Sequence, residues 1–230
     1  MLKKIMIFML FIVSGSTFSN TCNVPDLSKL DNNYDWKISQ ESNECYKKII
    51  NSQPDYYMLS ISYSPGFCST LKNIDAHHKF QCDSNNNFTW VVHGLWAQST
   101  NPPTCEYLDK KIGKIKTIPL HPRYCKGDDI GLIPIDIISR YLCTQPGELL
   151  LQSEWKKHGT CGDFLDAEDY FKKTQELFNK LVFPETYIKE PDIFNWMVEH
   201  NHELKKEYLK FESHELRICY SRAFEYISCP

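Results

Sequence analysis

Apolar and polar positions fall into a few regular stretches along this chain. Tyr56 to Tyr63, Y-Y-M-L-S-I-S-Y, alternates apolar with small polar residues from Met58 or Leu59 onward, which predicts a strand ended by Pro65-Gly66. Phe88 to Trp96, F-T-W-V-V-H-G-L-W, is aromatic and β-branched and predicts a second strand with His93 at its end. Ile133, Ile137, Ile138, Tyr141 and Leu142 keep helical spacing from Pro134 onward, and Leu149 to Leu151 open a helix running through Trp155. Asp166 is placed to cap a longer helix whose stripe (Tyr170, Phe171, Thr174, Leu177, Phe178, Leu181, Val182) lasts until Pro184, and Pro191 opens a short one through Met197. From Leu216, L-R-I-C-Y and then F-E-Y-I-S-C predict two closing strands joined by a turn. Cys22 to Cys45 is polar and predicts an irregular arm without chemistry; Ile74 to Asn87, with His77 and His78, predicts an exposed loop. The whole is α+β.

Composition narrows the setting. At 230 residues without internal repeats, the chain predicts one domain. Met1 to Ser19 carries Lys3 and Lys4, an apolar run and then small residues, the layout of a secretory signal peptide cleaved after Ser16 or Ser19. That leaves residues 20–230 as the domain, with an N-terminal arm over 20–55, in a secreted or periplasmic protein that has no membrane contact after cleavage. Ten cysteines follow, and export makes disulfides their natural state. Zinc is the rival, but no C-x-x-C pair occurs. Cys68 with Cys82 and Cys219 with Cys229 close short loops and form most easily; spacing leaves the other pairs open. The formal charge of −3, which losing Lys3 and Lys4 takes to −5, argues against wrapping double-stranded nucleic acid. A local basic run, Lys110, Lys111, Lys114, Lys116, Arg123 and Lys126, is a solvated loop or a phosphate contact.

Two stretches carry candidate chemistry. In E-W-K-K-H-G-T-C, Glu154 and His158 stand at i and i+4 on the expected helix and Lys157 shares their side, with Gly159 placed to stop it. Such a trio is a solvated pair with a neighbour, a metal site through E-x-x-x-H, or a catalytic cluster. His93, held by a strand, supplies a second imidazole. Two histidines beside Glu154 and Lys157 are the minimum set for cleaving RNA through its own 2′-hydroxyl without metal or cofactor. In-line attack favours single-stranded RNA. Glu154 beside His158 is expected to raise that imidazole's pKa.

V-V-H-G-L-W from Val91 to Trp96 and E-W-K-K-H-G-T-C from Glu154 to Cys161 resemble the two active-site segments of the ribonuclease T2 family. S-P-G-F-C ending at Cys68 and the paired C-terminal cysteines extend the resemblance over roughly Leu59 to Pro230. It implies a central antiparallel β-sheet flanked by helices and stapled by disulfides. It further implies an endoribonuclease acting as a monomer on single-stranded RNA, giving 2′,3′-cyclic phosphates that are then open to hydrolysis. His158 would be the general base, His93 the general acid, Glu154 and Lys157 the groups around the phosphorane, and Trp96, Gln98 and Trp155 substrate contacts. The implied disulfides are Cys22–Cys45, Cys68–Cys82, Cys105–Cys161, Cys125–Cys143 and Cys219–Cys229. Ala97 replaces the family's proline, Ser153 stands where many members carry another histidine, and Gln98 stands where some members place an aspartate that reads the base. A secreted binding or signalling protein that keeps the fold is the alternative.

Overall fold

The computed structural model describes residues 22–110, 112–212 and 214–230; the expected signal segment lies outside them. In chain order these residues form β1 (Tyr56–Tyr63), α1 (Ser64–Thr70), α2 (Ala76–Cys82), β2 (Trp90–Gln98), β3 (Thr104–Asp109), β4 (Lys114–Pro119), α3 (Ile135–Tyr141), α4 (Glu148–Lys157), α5 (Ala167–Asn179), α6 (Asp192–His200), β5 (Leu209–Glu212) and β6 (Glu215–Ser221). An antiparallel sheet runs in the order β2-β1-β6-β5, and β3 with β4 makes a separate hairpin. The fold is α+β around a central antiparallel sheet, as the sequence predicts.

The alternation in β1 decides what each face of this sheet does. Tyr57, Leu59 and Ile61 pair with Tyr220, Ile218 and Leu216 of β6, and all six are buried in the main core. Burying each aliphatic side chain of that set is worth about 1.5–3 kcal/mol. Helix α5 closes this face, and the phenol of its Tyr170 donates to the Leu95 carbonyl of β2 at 3.1 Å while accepting from the Leu95 N–H at 3.1 Å. The opposite face carries Tyr56, Met58, Ser60 and Ser62 of β1 beside Glu215, Arg217 and Cys219 of β6. The free edge of β2 is covered rather than exposed: the Val92 N–H donates to the Thr144 carbonyl at 2.9 Å, and the Gln145 side chain donates to the His93 carbonyl at 2.6 Å.

Several local readings change. Pro65 sits in the first turn of α1 instead of ending the chain direction, because a proline there lacks only an N–H that would be unsatisfied anyway. Part of the expected 74–87 loop is helix α2, capped by Asp75 accepting from the His78 N–H. Of the basic run, Lys114 and Lys116 stand on β4 of the β3–β4 hairpin, and Arg123 and Lys126 follow it. The closing hairpin pairs β6 with β5, whereas the F-E-Y stretch forms only an isolated bridge, Tyr220 to Tyr226. Among the described residues no helix is long and apolar enough to cross a membrane.

Five disulfides staple the fold, and Cys68–Cys82 and Cys219–Cys229 join as expected. The other three pairings differ from those the resemblance implies. Cys22 joins Cys143, Cys45 joins Cys105 and Cys125 joins Cys161. The partner is set by which segments the fold brings together: the Tyr124 N–H donates to the Lys157 carbonyl at 2.9 Å, which lays Cys125 beside the turn holding Cys161. Cys45, Cys105 and Leu120 share a small core of their own between the arm and the hairpin. The arm is thus bolted to the body at both ends rather than to itself.

A non-reducing peptide map should return these three long-range pairs. Replacing Cys45 and Cys105 together by alanine, which opens a span of 60 residues, should cost about 4 kcal/mol in chemical denaturation. The same change at Cys68 and Cys82, 14 residues apart, should cost about 3 kcal/mol.

Candidate active site

β1 and β2 keep register from Tyr56 opposite Gln98 to Ser60 opposite Gly94, then resume at Ile61 opposite Val92, leaving His93 without a partner residue. This is a β-bulge. It lets Val92 and Leu95, three residues apart, both stay in the core, and it turns the His93 imidazole onto the open face beside Trp96, ring centroids 5.2 Å apart. His93 therefore lies in mid-strand, not at the strand end that the sequence predicts. Gly94 follows for a steric reason. A Cβ there would lie 1.9 Å from Oε2 of Glu154 and 2.8 Å from Nε1 of Trp96, so only glycine lets α4 approach the strand this closely.

The last turn of α4 delivers Glu154 and Lys157, and His158 follows as its C-cap, its N–H donating to the Glu154 carbonyl at 2.9 Å. The Glu154 carboxylate is buried: Oε2 accepts from the Trp96 indole N–H at 2.8 Å, and Oε1 lies 3.5 Å from Nε2 of His93. Burial pushes its pKa up against the opposing charges of His93 and Lys157. On the other side of the His93 ring, Nδ1 is 2.5 Å from Oε1 of Glu215. The protein around His93 pulls its pKa down, but the Glu154 charge and the Glu215 hydrogen bond and charge outweigh this and raise it above the usual imidazole value.

His158 behaves in the opposite way. Its ring packs on Trp96 at 5.5 Å, it is 7% exposed, and its Nδ1 is buried without a hydrogen-bond partner among the described residues. Burial, helped by the charges of Lys157, Arg123 and His93, holds its pKa well below 6.5. The expected upward shift from Glu154 does not occur, because that carboxylate is turned to Trp96 and His93.

Lys157 is held at 2.5 Å by Oε1 of Glu41, which also accepts from the Tyr124 hydroxyl at 2.7 Å. Glu41 belongs to the arm expected to carry no chemistry, and nothing in its own stretch marks it. The neighbouring Lys156 faces the other way and is fully buried. Its ammonium donates to the carbonyls of Trp36 at 2.5 Å and Asp128 at 3.2 Å, with carboxylates of Asp35 and Asp128 at 3.5 Å.

His93, Trp96, Glu154, Lys157 and His158 line one cavity of about 650 Å³, together with Gln98 and Arg123. Gln98 is 4% exposed and its amide donates to the Ala97 carbonyl. Trp155, expected at the substrate, is instead core: it packs on Tyr170, and a Cβ on Gly159 would come within 2.4 Å of its ring. That glycine makes room for Trp155; the helix has already ended at Lys157. A second cavity of about 420 Å³ opens on the far side of His93, between Ser62, Phe67, His77, Leu150 and Ser153. His200 lies flat on Trp196, ring centroids 3.9 Å apart, and lines neither. Among the described residues no group of three or more His, Cys, Asp or Glu side chains is arranged to hold a metal ion.

A sequence model of the ribonuclease T2 family matches residues 54–208. A probable ribonuclease of Haemophilus influenzae is 41% identical over 180 residues, 76% of this chain and 61% of that protein. A ribonuclease of Aeromonas hydrophila is 31% identical over 130 residues, 55% of this chain and 46% of that protein. The chain thus spans about half to three-fifths of the length of these relatives. Its fold is similar to that of trichomaglin, an S-like ribonuclease, with a TM-score of 0.52 at 19% identity over 77% of this chain and 92% of that one. Japanese pear S3-RNase gives 0.52 at 18% identity over 76% and 90%.

Gly94→Ala is expected to push the Glu154 carboxylate off the strand and take away the largest charge that raises His93. NMR titration of the imidazoles should then find His93 titrating lower than in the unaltered protein; an unmoved His93 would mean that this carboxylate does not set its proton affinity.

Proposed function

Because the chain belongs to the ribonuclease T2 family, we propose that it is an endoribonuclease that cleaves single-stranded RNA without a metal or cofactor. The observation that carries this reading is the pair of imidazoles packed against one tryptophan in one cavity, with proton affinities shifted in opposite directions. His158, neutral at working pH, takes the proton from the 2′-hydroxyl as the 2′-oxygen attacks phosphorus. His93, held charged, gives a proton to the departing 5′-oxygen, and the P–O5′ bond breaks to leave a 2′,3′-cyclic phosphate. Lys157, which lines the same cavity, neutralises the phosphorane, while Glu154 keeps His93 protonated. The same pair, run in reverse with water, hydrolyses the cyclic ester to a 3′-phosphate.

His93 forms the wall between two cavities, which suits one nucleotide on each side of the scissile phosphate. Such a path needs bases splayed from a helix, hence single strands. DNA lacks the nucleophile and is not cleaved. Trp96 is tied to Glu154 and lies under the Arg217 guanidinium at 4.9 Å, so it braces the two rings and offers a base little more than its edge. The five disulfides support folding in an oxidising compartment, after a signal segment over residues 1–19 directs export. Residues 20–230 then act as one monomeric domain with the arm as its N-terminal part.

Oligoribonucleotides incubated with the protein should yield cyclic-phosphate ends by mass, with chelator making no difference, and the deoxy versions should stay intact. His93→Ala and His158→Ala should each lower the rate by about 10²- to 10⁴-fold; rates dependent on added divalent metal would overturn the reading. The pH–rate profile should be bell-shaped, rising through a pKa below 6.5 as His158 loses its proton and falling through one above 6.5 as His93 does. Between the two, the reactive protonation states are the majority form.

A further inference from the structure

Glu215 opens β6 opposite Ser62 of β1, on the face of the sheet that carries the cavity. Its side chain is only 12% exposed, and a carboxylate that far from water is costly unless its oxygens are engaged. Every oxygen is. Oε2 accepts from the Ser60 hydroxyl at 2.9 Å and lies 3.4 Å from an Arg217 amine, while Oε1 accepts from the Ser62 hydroxyl at 3.1 Å and meets His93 Nδ1 at 2.5 Å. Alternation supplies this cradle: Ser60 and Ser62 share a face of β1, and Glu215 and Arg217 share the facing positions of β6.

We propose that Glu215 is a positioning residue for RNA cleavage: its carboxylate accepts a hydrogen bond from the Nδ1–H of His93 and so fixes the ring with its Nε2–H directed at the leaving oxygen. The proposal rests on the reading of His93 as the general acid. Two carboxylates face this ring, and geometry separates their parts. Glu154 lies 3.5 Å from Nε2, on the side where the proton must leave, with its other oxygen already engaged by Trp96; it acts through its charge. Glu215 holds the opposite nitrogen at hydrogen-bond distance, which selects the tautomer and the ring orientation. Lys157 and His158 from the end of α4 and Arg217 from β6 act on the pair through their charges, and Asp75, His77 and His78 at the start of α2 line the cavity that His93 and Glu215 also line. Burial alone would raise the Glu215 pKa, but the His93 hydrogen bond and charge, Ser60 and Arg217 bring it down to about 2, so it stays ionised throughout the range in which His93 titrates.

Glu215→Gln, purified and checked for an unchanged melting curve, is the test, with Glu215→Asp as the second variant should the first fail to fold. The expected result is a kcat lower by roughly 10- to 100-fold with KM within about twofold. The falling limb of the pH profile should move to lower pH and the rising limb, which belongs to His158, should stay. A uridine 3′-(4-nitrophenyl phosphate) substrate, whose leaving group needs no proton, should restore most of the loss. Glu215→Asp should keep the falling limb nearer to that of the unaltered protein. A Glu215 variant that folds and leaves kcat and the falling limb unchanged overturns the proposal while leaving the nuclease reading intact; His93→Ala that cleaves RNA at full rate overturns the assignment of His93 as the general acid, and unaltered protein that leaves oligoribonucleotides intact overturns the nuclease reading itself.

Discussion

The close approach of the Glu154 carboxylate to the backbone at Gly94 is the contact on which the site depends. One imidazole comes from a strand and the other from the end of a helix, and this buried carboxylate, hydrogen-bonded to Trp96 and facing His93, is where strand and helix meet. Because the carboxylate is turned in that direction, its charge favours the proton on His93, while burial and the neighbouring cations outweigh any help to His158. The low-dielectric surroundings that would depress both rings are thereby overcome at one and left in force at the other. Placement alone shifts a pair of identical side chains in opposite directions.

Around that contact, the polar face of the sheet and the N-terminal arm complete the electrostatics from opposite sides. The sheet contributes Ser60, Ser62, Glu215 and Arg217, a buried set in which each charge has partners. The arm contributes Glu41, which holds Lys157 with help from Tyr124 and Trp36. Cys45–Cys105 and Cys22–Cys143 fix that arm at both ends, so a segment with little regular structure still presents its carboxylate in one place. Covalent anchoring here substitutes for the packing that a longer core would provide.

What was legible in the sequence follows from how local each feature is. The bounds of β1 and the face of α4 could be read because alternation and helical spacing lie within one stretch, and His93, Glu154, Lys157 and His158 stood out because their stretches are chemically dense. The bulge at His93 was not legible: F-T-W-V-V-H-G-L-W reads as a plain strand until β1 is laid beside it and Ile61 pairs with Val92. Three disulfides escaped for a similar reason, since the partner of Cys125 is decided by the Tyr124–Lys157 hydrogen bond and not by spacing. Trp155 shared a motif with Glu154, Lys157 and His158 yet points to the core, because successive helix positions differ by about 100°. Glu215 had a faint signal, the polar alternation of S-I-S in one strand and E-L-R in another, whereas Glu41 had none.

Lys156 and Lys157 show how tightly the rotation of α4 is set. One ammonium is sunk among the backbone oxygens of Trp36 and Asp128, and its neighbour stands at the rim of the cleft on Glu41. The helix is pinned front and back, by a carboxylate at the strand and an amine at the arm. A single residue gained or lost between Leu151 and Glu154 would swing everything after it by about 100°, carrying a cation that needs solvating oxygens away from them and offering apolar Trp155 to the cleft. Substitutions along this helix are therefore open to evolution in a way that changes of length are not.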